Sequence, residues 1–519
     1  MTTAHNKSKL STMHVILIST GGMIGSGWLF SPFYGFQTAG VGVIASWIIT
    51  ALLTFIIALS FAEVASILPI VGGISRFIGV THNRTLAFIF ICLSWLSYVV
   101  YLPLESQSAI QYIAFFYPPL VTKHGNIVEL SGLGLACAIF IIIGLTWFNC
   151  FVISKVAKTN SIVSIWKLIV PLGIAILLIG AFGKWDNVVI NYHNTPTSFE
   201  SILLAVTSSG LAFAFTGFQN GLVFANSAKN PEKALPYSLF MPIILGGIIY
   251  SLLSLAFIIC VPNPNAIAGS AVAPLLGLIV LFGMQTIYIV LFVDAIIAPL
   301  GTANIFTATT GRVLYGLGRD FMPNSILVRL NKYSAPHIAL WISAVVGMCF
   351  LLPFPTWRQL VDFLSSVVVF AYLAGPITLL VLRKELPEIP RKFKAKYVNF
   401  VGYAGFACCS LLIYWSEFNN LLLLSILLLI VVFLYALISK TSTFFKSFAD
   451  SSIIVCYMLT LTLISYLRLK HVISFPADNL LVIFLTLVYC NVLVKTRLSK
   501  SQIKHNLTTL NKEILADAK

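Results

Sequence analysis

Residues 21–32 read GGMIGSGWLFSP, and they interrupt the first long apolar segment of this 519-residue chain. Four of the seven residues at 21–27 are glycines, and each glycine inside a helix costs about 1 kcal/mol relative to alanine. Irregular backbone at membrane depth persists only where it lines a cavity or is buried in protein. The stretch therefore predicts a break in a membrane-spanning helix. The alternative is a continuous helix with a glycine packing face, which the spacing of Gly21 and Gly25 suits.

The composition of the whole chain is that of an all-α integral membrane protein. It is 59% hydrophobic and only 9% charged, whereas soluble domains are about a quarter charged. Apolar runs of about 20 residues, enough to cross a hydrocarbon core of about 30 Å, recur throughout and predict about fourteen transmembrane helices. We expect a cytoplasmic tail at 1–11, a ten-span core at 12–382, accessory spans 11–14 at 383–494 and a cytoplasmic tail at 495–519.

The formal net charge of +16 is spread along the chain rather than gathered into a nucleic-acid-binding face. Lysine and arginine concentrate in cytoplasmic loops because they resist translocation. This bias predicts a bacterial inner membrane protein with both termini in the cytoplasm and the lipid bilayer around it. Lys167 lies within a span. The outer loops hold five basic residues, namely Lys123, Lys184, Arg358, Arg468 and Lys470.

A second interruption, FAFTGFQNG at residues 213–221, lies in the sixth predicted span. Gln219 and Asn220 are amides within an apolar segment, so they must face protein, water or a ligand. A structural amide pair between helices is the alternative. Interruptions in spans 1 and 6 fall at corresponding places of two five-span halves. This pattern is typical of transporters built from inverted repeats, with the substrate bound near the midplane.

The first break offers a seat for a carboxylate. The amino end of a half-helix presents free N–H groups and the positive end of its dipole. We therefore predict that Ile24, Gly25, Ser26 and Gly27 bind the α-carboxylate of a small amino acid. The free carbonyls that end the preceding half-helix suit its α-ammonium.

Few ionisable residues lie inside the spans, and each costs at least about 2.5–3.5 kcal/mol at mid-bilayer unless it is paired. Glu105 follows residue 25 by 80 positions and Asp294 follows residue 217 by 77, so the two carboxylates occupy related positions in the two halves. A role in proton coupling and a structural or chance placement are equally compatible with this spacing. Glu63 lies near the inner end of span 2, where a gate or a loop anchor is expected.

Lys167 is the basic residue within span 5, about 10 Å into the helix from its predicted start. Removal from water favours the neutral form of an amine, so a proton can bind and leave during a transport cycle. The alternative is that the ammonium extends towards the cytoplasmic surface.

The sequence does not indicate an enzyme. No histidine lies deep in a span, and no metal-ligand cluster, phosphate-binding loop or nucleophile motif is present, so we predict no cofactor and no metal. The nine cysteines follow no paired spacing, and we interpret them as small apolar packing residues.

Four motifs resemble the amino acid–polyamine–organocation superfamily. GMIGSGWLFSP is similar to its first-span substrate loop, and FAEVASILPIVGGISRF to the end of its second span. FAFTGFQN followed by AKNPEKALP resembles its sixth-span break and the loop after it. TTGRVLYGLGRDFMP resembles its arginine-bearing loop after span 8.

The resemblance implies a five-plus-five inverted-repeat core of the leucine-transporter type, with spans 1 and 6 broken and extra C-terminal helices. It carries the substrate loop onto residues 24–27 and the sixth-span unwound segment onto Phe215, Thr216, Gly217 and Phe218. SIVSIWKL resembles the fifth-span segment in which a lysine replaces a sodium ion and couples transport to protons, which places that role on Lys167.

The sequence departs from the family at positions that bear on the substrate. Many relatives have an acidic residue where Gln219 stands and an acidic pair where Asn226 and Ser227 stand, so their absence argues against a cationic substrate. DAIIAPLGTANIF at 294–306, Glu105 and the overall length resemble the aspartate–proton symporter branch. We expect no basic side chain other than Lys167 near the site.

Three functions remain open from the sequence. Proton-coupled uptake of an acidic or neutral amino acid ranks first, and amino acid exchange without net proton movement is the second. A membrane-embedded amino acid sensor is the third, but the lack of a sizeable soluble domain argues against it.

Overall fold

The computed structural model describes residues 11–68, 76–124, 127–151, 156–224, 230–262, 272–439 and 444–517. Positions 226 and 227, where the family has its acidic pair, lie outside the described residues. The described chain is almost entirely helical, with one short antiparallel hairpin in which Val121 pairs with Leu130. The hairpin lies in the predicted outer loop between spans 3 and 4.

The first part of the chain forms one half of the core. Its elements are α1 (Thr12–Met23), α2 (Gly27–Ala39), α3 (Val43–Ile67), α4 (Phe77–Thr81), α5 (Arg84–Ile113), β1 (Val121–His124), β2 (Ile127–Leu130), α6 (Gly132–Asn149), α7 (Val156–Phe182) and α8 (Asp186–Asn194).

The second half of the core follows the same order of broken and continuous helices. Its elements are α9 (Phe199–Ser208), α10 (Leu211–Ala214), α11 (Asn220–Phe224), α12 (Pro231–Cys260), α13 (Pro274–Leu281), α14 (Gln285–Phe321), α15 (His337–Cys349), α16 (Trp357–Tyr372) and α17 (Ala374–Glu385).

Five further helices complete the described chain. They are α18 (Val398–Tyr414), α19 (Phe418–Ile438), α20 (Phe444–Leu469), α21 (Ala477–Lys495) and α22 (Lys500–Asp517). Side chains on one face of α19 are exposed, including Leu422, Leu429 and Leu437. An apolar exposed face of this kind suits contact with lipid.

Among the described residues, ten helical segments are long and apolar enough to cross a membrane, and four shorter apolar helices accompany them. The shorter ones include α1 and α9, the first pieces of the two broken spans. The chain is therefore a polytopic membrane protein. A helix or a set of helical pieces occupies each of the fourteen segments predicted from hydropathy, while the number that cross the bilayer stays a prediction.

The two predicted breaks are confirmed. Helix α1 ends at Met23 and α2 begins at Gly27, whereas span 6 is divided into α9, α10 and α11. Helices α5 and α14, the third spans of the two halves, pack directly against each other beside these breaks. The five-plus-five core thus brings both interruptions to one place.

Glu63, near the carboxyl end of α3, is a loop anchor. Its carboxylate is fully buried and forms ion pairs with Arg383 at 2.5 Å and Arg391 at 3.0 Å. It also accepts a hydrogen bond from the backbone N–H of Ala395 at 2.8 Å. These contacts tie α3 to the end of α17 and to the segment that follows it.

Candidate substrate-binding site

The first break binds a carboxylate that belongs to the protein itself. The backbone N–H of Ser26, at the amino end of α2, donates a 2.9 Å hydrogen bond to Glu105 Oε2. Glu105 extends from α5 and is fully buried. The amino end of a helix stabilises negative charge, and the group that accepts there is the Glu105 side chain. Binding of a substrate carboxylate at this break stays a prediction. The sequence analysis treated the seat and Glu105 as separate features, and the structure joins them.

Two glycines of the seat are packed closely against neighbouring spans. A Cβ atom at Gly25 would lie 2.3 Å from Glu105 Oε1, and one at Gly27 would lie 3.0 Å from the Cβ of Ala214. Glycine at position 25 thus permits the approach of a carboxylate to the backbone, whereas glycine at 27 permits close packing of α2 on α10.

The second break requires glycine for its backbone conformation. Gly217 has φ +101°, a region that L side chains rarely adopt. A Cβ atom there would lie 2.6 Å from the carbonyl oxygen of Gly22, so the two breaks pack against each other. Ser19 strengthens this junction, since its hydroxyl donates to Phe218 O at 2.9 Å and accepts from the N–H of Gly221 at 2.7 Å.

The amides of the second break are buried, but only Gln219 is hydrogen-bonded through its side chain among the described residues. Gln219 Oε1 accepts hydrogen bonds from the Tyr372 hydroxyl at 2.8 Å and from the N–H of Gly217 at 3.0 Å. Asn220 Nδ2 lies against Gly22 and has no hydrogen-bond partner among the described residues. Glu105 Oε1 is likewise buried without a partner in this part of the chain. Buried polar atoms of this kind are rare, and Asn220 Nδ2 and Glu105 Oε1 are two that lie at the breaks.

All ten predicted substrate residues are buried, but their side chains do not all meet at one point. Phe215 packs edge-on against Trp47 and Tyr250, and Phe218 packs against Tyr372. Thr216 hydrogen-bonds to the hydroxyl of Tyr101. The remaining predicted residues are Ile24, Gly25, Ser26, Gly27, Gly217, Gln219 and Asn220, which lie along the two facing breaks.

Lys167 links three helices of the core. Its Nζ donates to Gly21 O on α1 at 2.9 Å and to Thr302 Oγ1 on α14 at 2.8 Å, while Lys167 itself belongs to α7. The Thr302 hydroxyl also lies 3.2 Å from Gly21 O and from Ile24 O. Lys167 is 1% exposed, so its ammonium does not extend to the membrane surface.

Two buried carboxylates lie near Lys167 without forming an ion pair with it. Glu105 on α5 and Asp294 on α14 are both fully buried, and both interact electrostatically with the lysine. Within the described chain, neither carboxylate lies within 4.0 Å of Lys167 Nζ. Their positions on the third spans of the two halves agree with the similar offsets seen in the sequence.

An aromatic cluster packs against the seat at the start of α16. Trp357 Nε1 donates to Ser26 Oγ at 2.9 Å, and its ring stacks on Phe30 at 4.6 Å between centroids. Phe213 meets the same indole edge-on. Sequence analysis missed Trp357 because an aromatic residue at the start of an apolar helix carries no distinctive signal.

Arg358 contacts the aromatic cluster rather than the two breaks, so the expectation that Lys167 is the one basic side chain near the site stays a prediction. The Arg358 Nε donates to Ser208 O at 2.7 Å, and its guanidinium lies 5.9 Å from the centre of the Tyr34 ring. Tyr34 stacks on Trp357. The arginine therefore stands at the outer edge of the aromatic cluster, between α2, α9 and α16.

The fold is that of a membrane permease. It is a polytopic helical protein with two broken helices that face each other, and a buried lysine lies beside the first break. A family model described as amino acid permease matches residues 10–421. The chain belongs to the amino acid permease family.

The matched relatives are transporters and extend over nearly the whole chain. The glutamate/serine transporter AimA of Bacillus subtilis is 30% identical over 504 residues, which cover 93% of this chain and 92% of the relative. The aspartate-proton symporter of the same organism is 29% identical over 445 residues, covering 84% of each. These proteins are transporters rather than enzymes, and this chain is likewise a permease.

A solved structure supports the fold alone. The crystal structure of the Eremococcus coleocola manganese transporter aligns with 91% of this chain and 97% of its own, at 14% sequence identity and a TM-score of 0.52. The helical architecture is thus shared by transporters whose sequences have diverged widely.

Proposed function

We propose that this permease takes up an acidic or neutral amino acid together with protons. The observation that carries the proposal is the buried Lys167 ammonium, which bridges α1, α7 and α14 at the first break. Two relatives, a glutamate/serine transporter and an aspartate-proton symporter, support the substrate class and the coupling.

In this proposal the α-carboxylate of the substrate binds the amino end of α2 in exchange for Glu105. The N–H of Ser26 is the donor, and Gly25 leaves space for the incoming oxygen. The α-ammonium faces the carbonyls between α1 and α2 and the polar groups of the second break. Trp357 closes the seat from outside.

Coupling follows from the charge on Lys167. The protonated amine holds α1 against α7 and α14 through hydrogen bonds strengthened by its charge. These bonds weaken when the amine loses its proton. Glu105 and Asp294 are the alternative proton carriers, because both are buried near the lysine.

Arg358 supports an acidic substrate. A guanidinium at the outer edge of the site attracts an anionic amino acid and repels a cationic one. Its described hydrogen bond goes to a backbone carbonyl, and the buried Asp362 carboxylate on the same helix offsets part of its positive charge.

We also propose that the permease lies in a bacterial inner membrane with both termini in the cytoplasm. The distribution of lysine and arginine between alternate loops supports this orientation. In this proposal residues 12–382 transport the substrate, and the spans within 383–494 support them.

Exchange without net proton movement is the competing function. Counterflow and net uptake in proteoliposomes, with and without an imposed proton gradient, separate the candidates. Gradient-driven accumulation supports symport, equal counterflow with no accumulation supports exchange, and binding without either supports a sensor.

Replacing Gly25 by Leu is expected to abolish substrate binding, because its side chain enters the space now held by the Glu105 carboxylate. Gly27→Leu should also abolish binding, through displacement of α10. Binding of a radiolabelled amino acid to the purified protein measures both. Gly144→Leu is the matched control, since a Cβ atom at Gly144 meets nothing within 4 Å. Wild-type affinity in a folded Gly25→Leu protein would refute the proposal that the first break binds the substrate.

Arginine and lysine are expected to be poor substrates. Gln219 is neutral, and Lys167 places a basic group directly beside the first break. Inhibition of uptake by a panel of amino acids measures this preference, and Gln219→Glu should increase inhibition by arginine. Strong inhibition by arginine, with none by acidic or neutral amino acids, would contradict the proposed substrate class.

A further inference from the structure

A cavity of about 520 Å³ lies where the C-terminal helix α22 meets the ends of the core helices. Helix α4, the start of α5, the end of α14 and α22 form its walls. Its volume falls within the range of small-molecule pockets, about 300–1,000 Å³. In the proposed orientation it opens to the cytoplasm, on the opposite side of the membrane from Arg358.

Among the described residues, three arginines and one aspartate line this cavity. Arg76 forms an ion pair with Asp320 at 2.9 Å, and Arg319 lies 3.9 Å from the same carboxylate. Arg84 donates to the backbone oxygen of Asp320 at 2.8 Å and lies over the ring of Phe321. The guanidiniums of Arg76, Arg84 and Arg319 thus gather around Asp320 at one wall of the cavity.

The wall formed by the C-terminal helix is fixed to the core. The N–H of Leu498 donates to Thr81 O at 2.8 Å, and Asn506 Nδ2 donates to Gly79 O at 3.4 Å. The Arg497 guanidinium forms an ion pair with Glu385 at the end of α17. These bonds make the cavity a feature of the folded protein rather than a gap beside a loose tail.

The amino end of α5 adds to the positive potential. Asn83 caps this 30-residue helix by accepting a hydrogen bond from the N–H of Leu86. Asn83 and Arg84 both line the cavity, so the positive end of the helix dipole points at the same space as the guanidiniums.

We propose that this cavity binds a phosphate-bearing anion. The planar guanidinium of arginine matches phosphate oxygens with two parallel N–H donors, and basic pockets at the cytoplasmic ends of membrane helices suit anionic headgroups. A phosphate in this cavity contacts α5, α14 and α22 together. The ligand is an anionic lipid headgroup or a soluble phosphate compound, which share this chemistry.

Thermal unfolding of the purified, detergent-solubilised protein tests the proposal without any measurement of transport. The probes are short-chain phosphatidylglycerol, short-chain phosphatidylcholine and inorganic pyrophosphate, each titrated separately. Phosphatidylglycerol or pyrophosphate should raise the unfolding temperature in a saturable way, and phosphatidylcholine should not. Stabilisation by phosphatidylglycerol with little effect of pyrophosphate assigns a lipid, and the reverse assigns a soluble phosphate compound.

Arg84→Gln should weaken the apparent affinity for the effective probe by about tenfold, since a hydrogen bond to a charged group is lost. Arg84→Lys keeps the positive charge but loses the pair of parallel N–H donors, so an affinity between those of the wild type and Arg84→Gln is expected. Arg329→Gln is the matched control, because Arg329 is exposed in the loop after α14 and lies outside the cavity lining. No stabilisation of the wild type by either anionic probe, or equal affinity of the wild type and Arg84→Gln, would overturn the proposal.

Discussion

Replacing Lys167 by Ala is expected to eliminate proton-driven accumulation of the substrate. The substitution removes the titrating group and the two hydrogen bonds that join α7 to Gly21 and Thr302. Some substrate binding should remain, because the Ser26 N–H is a separate contact. Uptake into proteoliposomes against an imposed pH gradient measures the loss, and uptake by the wild type should not depend on sodium.

Three further variants make this prediction specific. Lys167→Arg should also show no proton-driven accumulation of the substrate, since an arginine keeps its proton throughout the transport cycle. Lys184→Ala removes an exposed lysine beyond the end of the same helix and should leave accumulation intact. Glu105→Gln and Asp294→Asn test the competing carriers. Full accumulation by Lys167→Ala would exclude the lysine and assign the proton to one of these carboxylates.

Replacing Glu63 by Ala is expected to destabilise the protein by about 3–5 kcal/mol, the usual cost of removing one partner of a buried ion pair. Two guanidiniums, of Arg383 and Arg391, lose their shared carboxylate, and the N–H of Ala395 loses its acceptor. Glu63→Gln should be less harmful, because its amide oxygen still accepts a hydrogen bond. The fraction of folded protein that survives heating in detergent measures these differences.

The matched control for Glu63 is Glu388→Gln in the loop that follows α17. Glu388 is exposed and lies 3.5 Å from Lys500 and 3.8 Å from Lys504, and exposed ion pairs contribute little to stability. We therefore expect no measurable change in thermal survival. Equal survival of Glu63→Ala and Glu388→Gln would contradict the role of Glu63 as an anchor.

The breaks and the intramembrane charges were predictable from the sequence because their signals are local. Four glycines within residues 21–27 and the amides Gln219 and Asn220 disturb an apolar helix wherever it packs. Lys167 stood out for the same reason, since a charge within a span needs a partner. The similar offsets of Glu105 and Asp294, 80 and 77 residues after the breaks, predicted related helices, and the two residues lie on α5 and α14.

The partners of these residues were not predictable, because they come from distant parts of the chain. Thr302 lies 135 residues from Lys167, and Trp357 lies 331 residues from Ser26. A threonine or a tryptophan in an apolar helix is unremarkable until tertiary packing brings it to a break. Arg358 was assigned to an outer loop, and hydropathy alone did not reveal that this loop borders the site.

The hydrogen bond from Ser26 to Glu105 bears on how the transporter returns to its starting conformation after it has released the substrate. A buried donor without an acceptor is unfavourable. A carrier whose donor is left unpaired when no substrate is bound must therefore bind another substrate before it changes to the opposite-facing conformation. A carrier of that kind is restricted to one-for-one exchange of substrate across the membrane. Here the chain supplies its own carboxylate to the amino end of α2. We expect the protein to return to its starting conformation without a bound substrate, which favours net import over exchange.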